Sequence, residues 1–401
     1  MISIESVRYS LRNLKQNKGR SALTIFSILV GIATIFIFIS FGYGLYNYTN
    51  ELTSSSSADK VIIMPQTAGG FGAVEGVVLN DTDVKEINKA AGVYEASGLY
   101  YGAVLVKQNS DQKYTFIIGY DPKKDFVISS FNIDVEKGRL LKPGDMKVAV
   151  LGYNYVISNK IFPKTFDIND NIEVNGVKLK VVGIMEEIGN PQDDSQVYIS
   201  NNQFEEMFPD EESYGQIIAR VDIKDINKVN ENIERGLRKS RGVEEGKEDF
   251  YVQSFDELIE SFASAINIIV GFVILIALIS VLVSTINTAN TMITSVLERY
   301  KEIGVLKAMG AKNSSIFEIF LFESAFLGTV AGIIGVAVGW GISYSAGAIL
   351  KNLGWGFLQP YFSVYLFVGL ILFAGITGAI SGVFPAVKAS KTNPVDALRN
   401  E

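Results

Sequence analysis

The hydrophobic positions of this 401-residue chain fall into four long runs that contain no charged residue. The runs cover residues 21–50, 261–297, 324–350 and 352–387. Each is longer than the roughly 20 apolar residues that a helix needs to cross a bilayer. The pattern therefore predicts an α-helical membrane protein with four transmembrane helices. The first two helices are separated by a long polar segment, residues 51–260, and the second and third by a short charged one.

The long polar segment has the pattern of an α+β domain. Short alternating or β-branched stretches predict strands at 61–64, 93–97, 103–107, 114–120, 147–151, 171–174, 177–184, 197–200, 216–221 and 250–253. A helix capped by Asp81 or Thr82 is predicted to run to Ala91, and another is predicted over 225–239. Asn175-Gly176 tolerates the positive φ angles of a type I′ turn and predicts a hairpin. Ser254 can cap a helix that enters the second membrane run without a breaker, which gives one rod of roughly 60 Å.

Lysines and arginines cluster at one side of the predicted helices, and such clusters mark cytoplasmic segments. They precede the first run, follow the last run and occupy the short segment between the second and third: Arg8, Arg12, Lys15, Lys18, Arg20, Lys388, Lys391, Arg399, Arg299, Lys301, Lys307 and Lys312. Both termini are therefore predicted to be cytoplasmic. Residues 51–260 carry a net charge of −13 and the remainder carries +6. An acidic external domain argues against nucleic acid as a partner.

Residue composition excludes several kinds of catalysis. The chain has no cysteine and no histidine, so disulfides, Ser-His-Asp hydrolysis and histidine zinc sites are impossible. It has no G-x-x-x-x-G-K-[ST] motif, so any ATP and Mg²⁺ must be bound by another polypeptide. Serine–lysine or paired-carboxylate catalysis remains formally open, but no spacing suggests either. We expect no catalytic, cofactor or metal site in this chain, and we expect it not to be an enzyme.

Two acidic clusters have alternative interpretations. Asp193 and Asp194, near Glu186 and Glu187, could bind calcium or serve acid–base chemistry. The adjoining Asn190-Pro191 favours a solvated turn instead. Glu318 and Glu323 enter the third membrane run, where an intramembrane acid would be a functional candidate. We favour an interfacial position at a helix N-terminus, where the helix dipole stabilises acids.

The third and fourth runs carry glycines at helical spacing. Gly328, Gly332, Gly335 and Gly339 lie along one helix face, and Gly378 and Gly382 form a second small-xxx-small pair. Such glycines let helix backbones approach closely. The spacing predicts packing within the helix bundle rather than a transport path.

The short charged segment carries the most specific pattern of the chain. Good helix formers and no proline predict about three turns of helix that end at Gly310. The residues Glu298, Arg299, Glu302, Ile303, Gly304, Val305, Lys307, Ala308, Gly310 and Ala311 resemble the coupling segment of the MacB/FtsX-type ABC transporter permeases. A lysine at 307 stands where arginine is common. Composition alone would also fit an ordinary solvated cytoplasmic loop.

Further motifs extend the resemblance over the whole chain. The entry to the first helix, Leu14-x-x-Asn17-Lys18-x-Arg20-Ser21, and the C-terminal run from Pro385 to Arg399 with Pro394-Val395-Asp396-Ala397-Leu398-Arg399 resemble family signatures. Gly138-Arg139-x-Leu141-x-x-Gly144-Asp145 and Asp193-Asp194-Ser195-x-Val197-Tyr198 resemble the inserted subdomain that the family calls the sabre. The remaining external residues resemble the split subdomain called the porter.

The resemblance implies a division of the chain and a set of partners. The expected segments are 1–20 (amphipathic N-terminal helix), 21–50 (transmembrane helix 1 with stalk), 51–111 (first porter-like segment), 112–212 (sabre-like), 213–253 (second porter-like segment), 254–296 (stalk and helix 2), 297–313 (coupling segment), 314–350 (helix 3), 360–387 (helix 4) and 388–401 (cytoplasmic tail). The expected partners are an ABC ATPase subunit, a second copy in a homodimer, membrane lipids and an extracytoplasmic adaptor.

The implied function is that of a permease subunit in a plasma-membrane exporter, which transmits ATP-driven movement to its external domain. The alternative is an FtsX-like regulator that acts on an external partner such as a cell-wall hydrolase and transports nothing. The sabre-like insertion favours transport. The cargo, the envelope type and the choice between homodimer and heterodimer stay open.

Overall fold

The computed structural model describes residues 18–53, 59–66, 78–131, 134–211 and 213–399. Nearly all of the amphipathic helix predicted over residues 1–20 lies outside these residues. The chain divides into two compact units. The described residues of the first are 18–45, 265–349 and 358–399. Those of the second are 46–53, 59–66, 78–131, 134–211, 213–264 and 350–357.

Among the described residues, four helices are long and apolar enough to cross a membrane, in agreement with the four predicted runs. They are α1 (Lys18–Thr53), α6 (Phe255–Glu298), α8 (Asn313–Asn352) and α9 (Val364–Ser390). The two shorter helices of the same unit are α7 (Tyr300–Ala308) and α10 (Pro394–Arg399). Ser254 begins α6 as predicted. Its Oγ accepts from the backbone N–H of Glu257 at 3.1 Å, and the Glu257 carboxylate accepts from the Ser254 N–H at 2.9 Å.

The second unit is built on a ten-stranded sheet. Its strands are β1 (Lys60–Pro65), β2 (Val93–Gln108), β3 (Asp111–Tyr120), β4 (Val135–Gly138), β5 (Val148–Leu151), β6 (Asn171–Val174), β7 (Val177–Met185), β8 (Val197–Ser200), β9 (Gln216–Val221) and β10 (Phe250–Ser254). Their order is β10-β1-β9-β2-β3-β8-β5-β7-β4, with β6 paired to β2 and β7. The α-helices of this unit are α2 (Asp81–Lys89), α3 (Phe126–Ser129), α4 (Asn201–Met207) and α5 (Ile226–Arg241).

Strand β2 joins two halves of the sheet. The sequence predicted two strands at 93–97 and 103–107, but the structure has one strand of 16 residues. Its first half pairs with β9 and its second half pairs with β3. Gly98 and Gly102 keep the strand continuous across the predicted gap, because a Cβ at either position would press on an aromatic ring, of Tyr214 or of Phe204. A break in the hydrophobic pattern therefore marks close packing rather than a loop.

Two local predictions can be compared with the turns. The Asn175-Gly176 hairpin is confirmed, because the φ angles are 47° and 83° and β6 pairs with β7 in antiparallel register. The predicted cap of α2 is wrong by one residue. Asn80, not Asp81 or Thr82, accepts from the N–H groups of Thr82 and Asp83. Amide and carboxylate side chains serve almost equally well as N-caps, so the sequence alone does not choose between neighbours.

The Gly138 to Asp145 motif has a structural role in the second unit. Arg139 Nη1 donates to Asp145 Oδ2 at 2.6 Å and Nη2 donates to Oδ1 at 3.2 Å. This guanidinium pairing holds the pKa of the Asp145 carboxyl below its usual value. Gly183 must lack a side chain because a Cβ there would lie 2.3 Å from the Arg139 carbonyl oxygen. The motif therefore lies where β4 pairs with its antiparallel neighbour β7.

The glycines of α8 mark two helix contacts inside the first unit. A Cβ on Gly328 would lie 2.4 Å from the Ala374 carbonyl oxygen and 2.9 Å from the Cα of Gly378 on α9. Further along α8, a Cβ on Gly339 would lie 3.0 Å from the Cβ of Phe36 on α1. Gly332, like Gly328, lies against α9, and Gly335, like Gly339, lies against α1. Gly382 of α9 lies against Ser324 of α8. The stripe thus divides its contacts between α9 and α1, and the sequence pattern did not distinguish these two neighbours.

Candidate coupling surface

The charged segment forms a short helix that starts at a break in the chain. Helix α6 ends at Glu298 and α7 starts at Tyr300. Arg299 lies between them with φ −100° and ψ 17°, outside helical geometry. At the far end, Gly310 adopts φ +95°, a conformation that glycine reaches without strain. The helix therefore has nine residues, and it ends where the sequence predicted.

Arg299 anchors the start of α7 to α8. Its side chain is 8% exposed, and Nη1 donates to Glu323 Oε2 at 3.1 Å. The guanidinium carbon also lies 5.0 Å from the ring centroid of Phe320. Arginine suits this position because its planar group can pair with a carboxylate and lie over an aromatic face together. The break between α6 and α7 is thereby tied to α8.

Glu323 corrects one sequence expectation. It was expected at an interfacial helix N-terminus, but α8 begins at Asn313, about ten residues earlier. The Glu323 side chain is 5% exposed and pairs with Arg299. The expectation was wrong because the local sequence around Glu323 does not predict an ion pair with a residue 24 positions away. Opposite charges at those two positions were the only available signal.

The middle and end of α7 pack on the C-terminal segment. A Cβ on Gly304 would lie 2.6 Å from the Cβ of Ala397 on α10, and both residues are buried. Lys307 Nζ donates to the carbonyl oxygens of Ser390 at 2.8 Å and Thr392 at 2.6 Å. These carbonyls lie at the C-terminus of α9, where the helix dipole favours a cation. Two motifs that are far apart in sequence therefore form one structural element.

The opposite face of α7 is exposed. Met309 is 72% exposed, Val305 is 45% exposed and the Glu302 side chain is 59% exposed. Glu302 also places Oε2 at 3.6 Å from Arg299 Nε. The exposed residues thus combine apolar side chains with the charged side chains of Lys301 and Glu302. Apolar groups of this kind in the centre of a polar surface are typical of protein contacts rather than of plain solvated loops.

The predicted coupling residues therefore separate into two groups. Arg299, Ile303 and Gly304 are buried and hold the helix in place, and Lys307 joins it to the end of α9. The exposed group consists of Glu298, Glu302, Ala308 and Gly310, with Ala311 half-buried. Val305, one of the predicted coupling residues, and Met309, which directly follows α7, are exposed apolar side chains.

The acidic cluster of the second unit has a structural role. Asp194 is buried, and its carboxylate accepts from the backbone N–H groups of Ile188 and Gly189 at 2.7 and 2.9 Å. Burial raises the pKa of this carboxyl despite those hydrogen bonds. Asp193 accepts from the side-chain amides of Asn190 and Gln196. The turn prediction was right, but the expectation of a solvated Asp194 was wrong. Among the described ranges, no cluster of acidic side chains could hold a metal ion.

Comparison with family models assigns both units of the chain. The model of the MacB-like periplasmic core domain matches residues 21–235. The model of the FtsX-like permease C-terminal region matches residues 274–394, which include α7 and the start of α10. The two matches together cover strands β1 to β9, helices α7, α8 and α9 and nearly all of α1, but they leave out β10 and the first part of α6.

Individual relatives extend over the whole chain. An uncharacterized ABC transporter permease of Methanocaldococcus jannaschii is 33% identical over 397 residues, which cover 98% of this chain and 98% of that protein. The macrolide export ATP-binding/permease protein MacB of Marinobacter nauticus is 28% identical over 99% of this chain but only 61% of its own length. The periplasmic region of MacB from Actinobacillus actinomycetemcomitans has a TM-score of 0.42 and 13% identity, and it matches 51% of this chain and 93% of its own length.

Proposed function

Because the chain belongs to the ABC transporter permeases that combine a MacB-like periplasmic core domain with an FtsX-like C-terminal region, we propose that it couples ATP hydrolysis by a separate ATPase subunit to movement of its extracytoplasmic domain. The movement would export or extract a substrate. The observation that carries this proposal is the exposed face of α7, whose other side is held in place by buried contacts. A solvated loop would not need such contacts.

The need for a separate ATPase follows from the motifs. This chain has no phosphate-binding G-x-x-x-x-G-K-[ST] sequence. The Methanocaldococcus relative, which is named a permease, matches it over nearly the full length of both chains. The Marinobacter relative, which is named for ATP binding as well, has 39% of its length beyond the match. We therefore expect ATP and Mg²⁺ to be bound by a partner chain that contacts α7.

The helix contacts support a route for the movement. Helix α7 follows α6 directly, and Arg299 between them is ion-paired to Glu323 on α8. Lys307 of α7 donates a hydrogen bond to the end of α9, and Gly304 packs on α10. A displacement at α7 would therefore reach three membrane helices together. Helix α6 has 44 residues, a length of about 66 Å, and it begins directly after strand β10 of the large sheet. We propose that it is the mechanical link.

The proposed topology places both termini and α7 in the cytoplasm and the large sheet outside. The Lys/Arg distribution supports this orientation. The functional unit is proposed to be a homodimer with two ATPase subunits. The transmembrane portion of α6 offers a long apolar surface for lipid or a second copy, since side chains such as Ile269, Phe272 and Leu275 are each more than half exposed.

The proposal is tested by a photoreactive benzoylphenylalanine at Met309, in membranes that also contain a candidate ABC ATPase subunit from the same organism. We expect a covalent product between the two proteins. The matched control is the same residue at Met146, a 42% exposed methionine of the second unit. Equal capture of the ATPase from both positions, or capture from neither, would contradict the proposal.

A further inference from the structure

A small cavity lined by hydroxyl groups lies between α1, α6 and α9. Its lining consists of Ile28, Gly31 and Ile32 on α1, of Val281, Ser284, Thr285 and Thr288 on α6, and of Thr377 and Ser381 on α9. Five of these nine residues carry a hydroxyl. Their concentration is unusual for the middle of apolar helices, where each polar group must find a partner inside the protein.

Most of these hydroxyls donate their proton within their own helix. Thr285 Oγ1 donates to the Val281 carbonyl at 2.8 Å, Thr377 Oγ1 to the Ala374 carbonyl at 3.0 Å and Ser381 Oγ to the Gly378 carbonyl at 2.7 Å. A hydroxyl has one proton and two lone pairs. These three oxygens can therefore offer only acceptor positions to the cavity.

Thr288 differs from its neighbours. It is 1% exposed, and its Oγ1 has no hydrogen-bond partner among the described residues. An unpaired hydroxyl in an apolar environment is costly, and a helix in a bilayer has no bulk water to compensate it. Most threonines on helices avoid the cost by donating to a carbonyl one turn earlier, as Thr285 does. Thr288 does not do this, and it is one of the residues that line the cavity.

We propose that this cavity binds one water molecule that bridges α6 and α9 beside α1. The space accommodates about one water-sized sphere. Water matches the lining, because it can accept from Thr288 and donate to two of the oxygens that have only lone pairs left. The lining contains no charged side chain, which disfavours an ion as the ligand. The chemical class is therefore a small neutral molecule that both donates and accepts.

The site would supply hydrogen bonds between helices of the bundle that can break and re-form. Ser27 on α1 already donates to Ser284 on α6 at 3.2 Å, next to the cavity. A bound water adds replaceable hydrogen bonds to α9, and such bonds can re-form after a small shift of one helix against another. This role rests on the proposed function, in which α6 carries movement. The water site itself does not depend on it.

The test uses Thr288→Val in the full chain, because valine has nearly the same shape and removes only the hydroxyl. If the water is bound, the substitution removes one of its partners, and we expect the thermal midpoint to fall by about 2–4 °C. If the cavity is dry, the substitution removes an unpaired hydroxyl, and the midpoint must rise. The sign of the shift therefore decides.

Thr294→Val is the matched control, since Thr294 lies on the same helix, is exposed and donates to the Asn290 carbonyl at 3.1 Å. The shift of Thr288→Val is read relative to this control. A high-resolution structure gives an independent readout. We expect a density peak within hydrogen-bond distance of Thr288 Oγ1 in the parent chain and in Thr288→Ser, and no peak in Thr288→Val. A rise in midpoint, or the same empty cavity in all three, would overturn the proposal. Failure of ATPase capture at Met309 would leave these readouts unaffected.

Discussion

Gly328→Ala is expected to destabilise the membrane bundle, although alanine is a better helix former than glycine. The added Cβ would lie 2.4 Å from the Ala374 carbonyl oxygen and 2.9 Å from the Gly378 Cα. Both obstacles are backbone atoms, so no side chain can rotate away. Carbon–oxygen contacts normally start near 3.3 Å, so α8 and α9 would have to separate by roughly 1 Å at this point.

The expected magnitude is a balance of two effects. Forced separation of a well-packed contact costs about 1–3 kcal/mol, and removal of a helix glycine returns up to about 1 kcal/mol. Gly341 lies on the same helix, and a Cβ there would meet nothing within 4 Å. Gly341→Ala should therefore stabilise by about 0.5–1 kcal/mol. The same glycine-to-alanine substitution is therefore predicted to lower stability at position 328 and to raise it at position 341 of the same helix.

The assay is the midpoint of thermal aggregation of the purified full chain in detergent, read by size-exclusion chromatography. We expect Gly328→Ala to lower the midpoint and Gly341→Ala to raise it. Gly335→Ala should fall between them, because its nearest obstacle, the Leu29 carbonyl oxygen, is at 3.0 Å. Equal midpoints for Gly328→Ala and Gly341→Ala would refute the assignment of Gly328 to the α8–α9 contact.

Three further predictions follow from individual contacts. Glu323→Leu leaves the buried Arg299 without this partner, so it should destabilise the protein by about 3–5 kcal/mol and reduce the yield of monodisperse protein. The charge-reversed pair, Arg299→Glu with Glu323→Arg, should recover that yield. No recovery would contradict a pairwise role. Because the folded pKa of Asp145 is lowered, its stabilisation should be present above the unfolded pKa of about 3.9 and lost as pH falls through the folded value. Protection of the amides of residues 139–145 against exchange, relative to their intrinsic rate at each pH, should therefore fall below about pH 4. Asp145→Asn, but not the exposed control Asp210→Asn, should show lower protection already at pH 7. Since the chain has no cysteine, Ser110→Cys should react with an impermeant thiol reagent on intact cells and Ser314→Cys should not, and the reverse pattern would invert the proposed topology.

Periodicity was sufficient to predict the membrane helices and most strands. The four runs and the Asn175-Gly176 hairpin follow from local composition, and the structure has both. The continuous strand β2 was missed, because Gly98 and Gly102 are required by aromatic rings that come from distant regions of the chain. Local pattern cannot contain that information.

The coupling surface shows the same limit more sharply. Its helix and its end at Gly310 were predictable from residue type. Its buried side was not, because Arg299 pairs with Glu323, and Lys307 reaches carbonyl oxygens more than 80 positions away. Motif resemblance grouped ten residues as one site, but packing separates those that hold the helix from those that are exposed.

The central claim is that movement at α7 reaches the external domain through the continuous helix α6. A nitroxide on Ser240→Cys, an exposed position of α5, provides one label in each copy of the proposed homodimer, which is otherwise free of cysteine. The distance between the two labels is measured by pulsed electron resonance, with the ATPase bound, in the nucleotide-free and ATP-trapped states. We compare the parent chain with a chain that carries Gly-Gly-Ser-Gly between Glu260 and Ser261, since each added glycine weakens the helix by about 1 kcal/mol.

The helical insertion Ala-Glu-Ala-Lys at the same place is the matched control, because four residues advance the phase by about 400° and nearly restore the original facing. We predict that ATP shifts the distance distribution in the parent chain and in this control. The glycine-containing chain should bind its ATPase and hydrolyse ATP but show no shift. An ATP-dependent shift that is equally large in the glycine-containing chain would contradict transmission through α6.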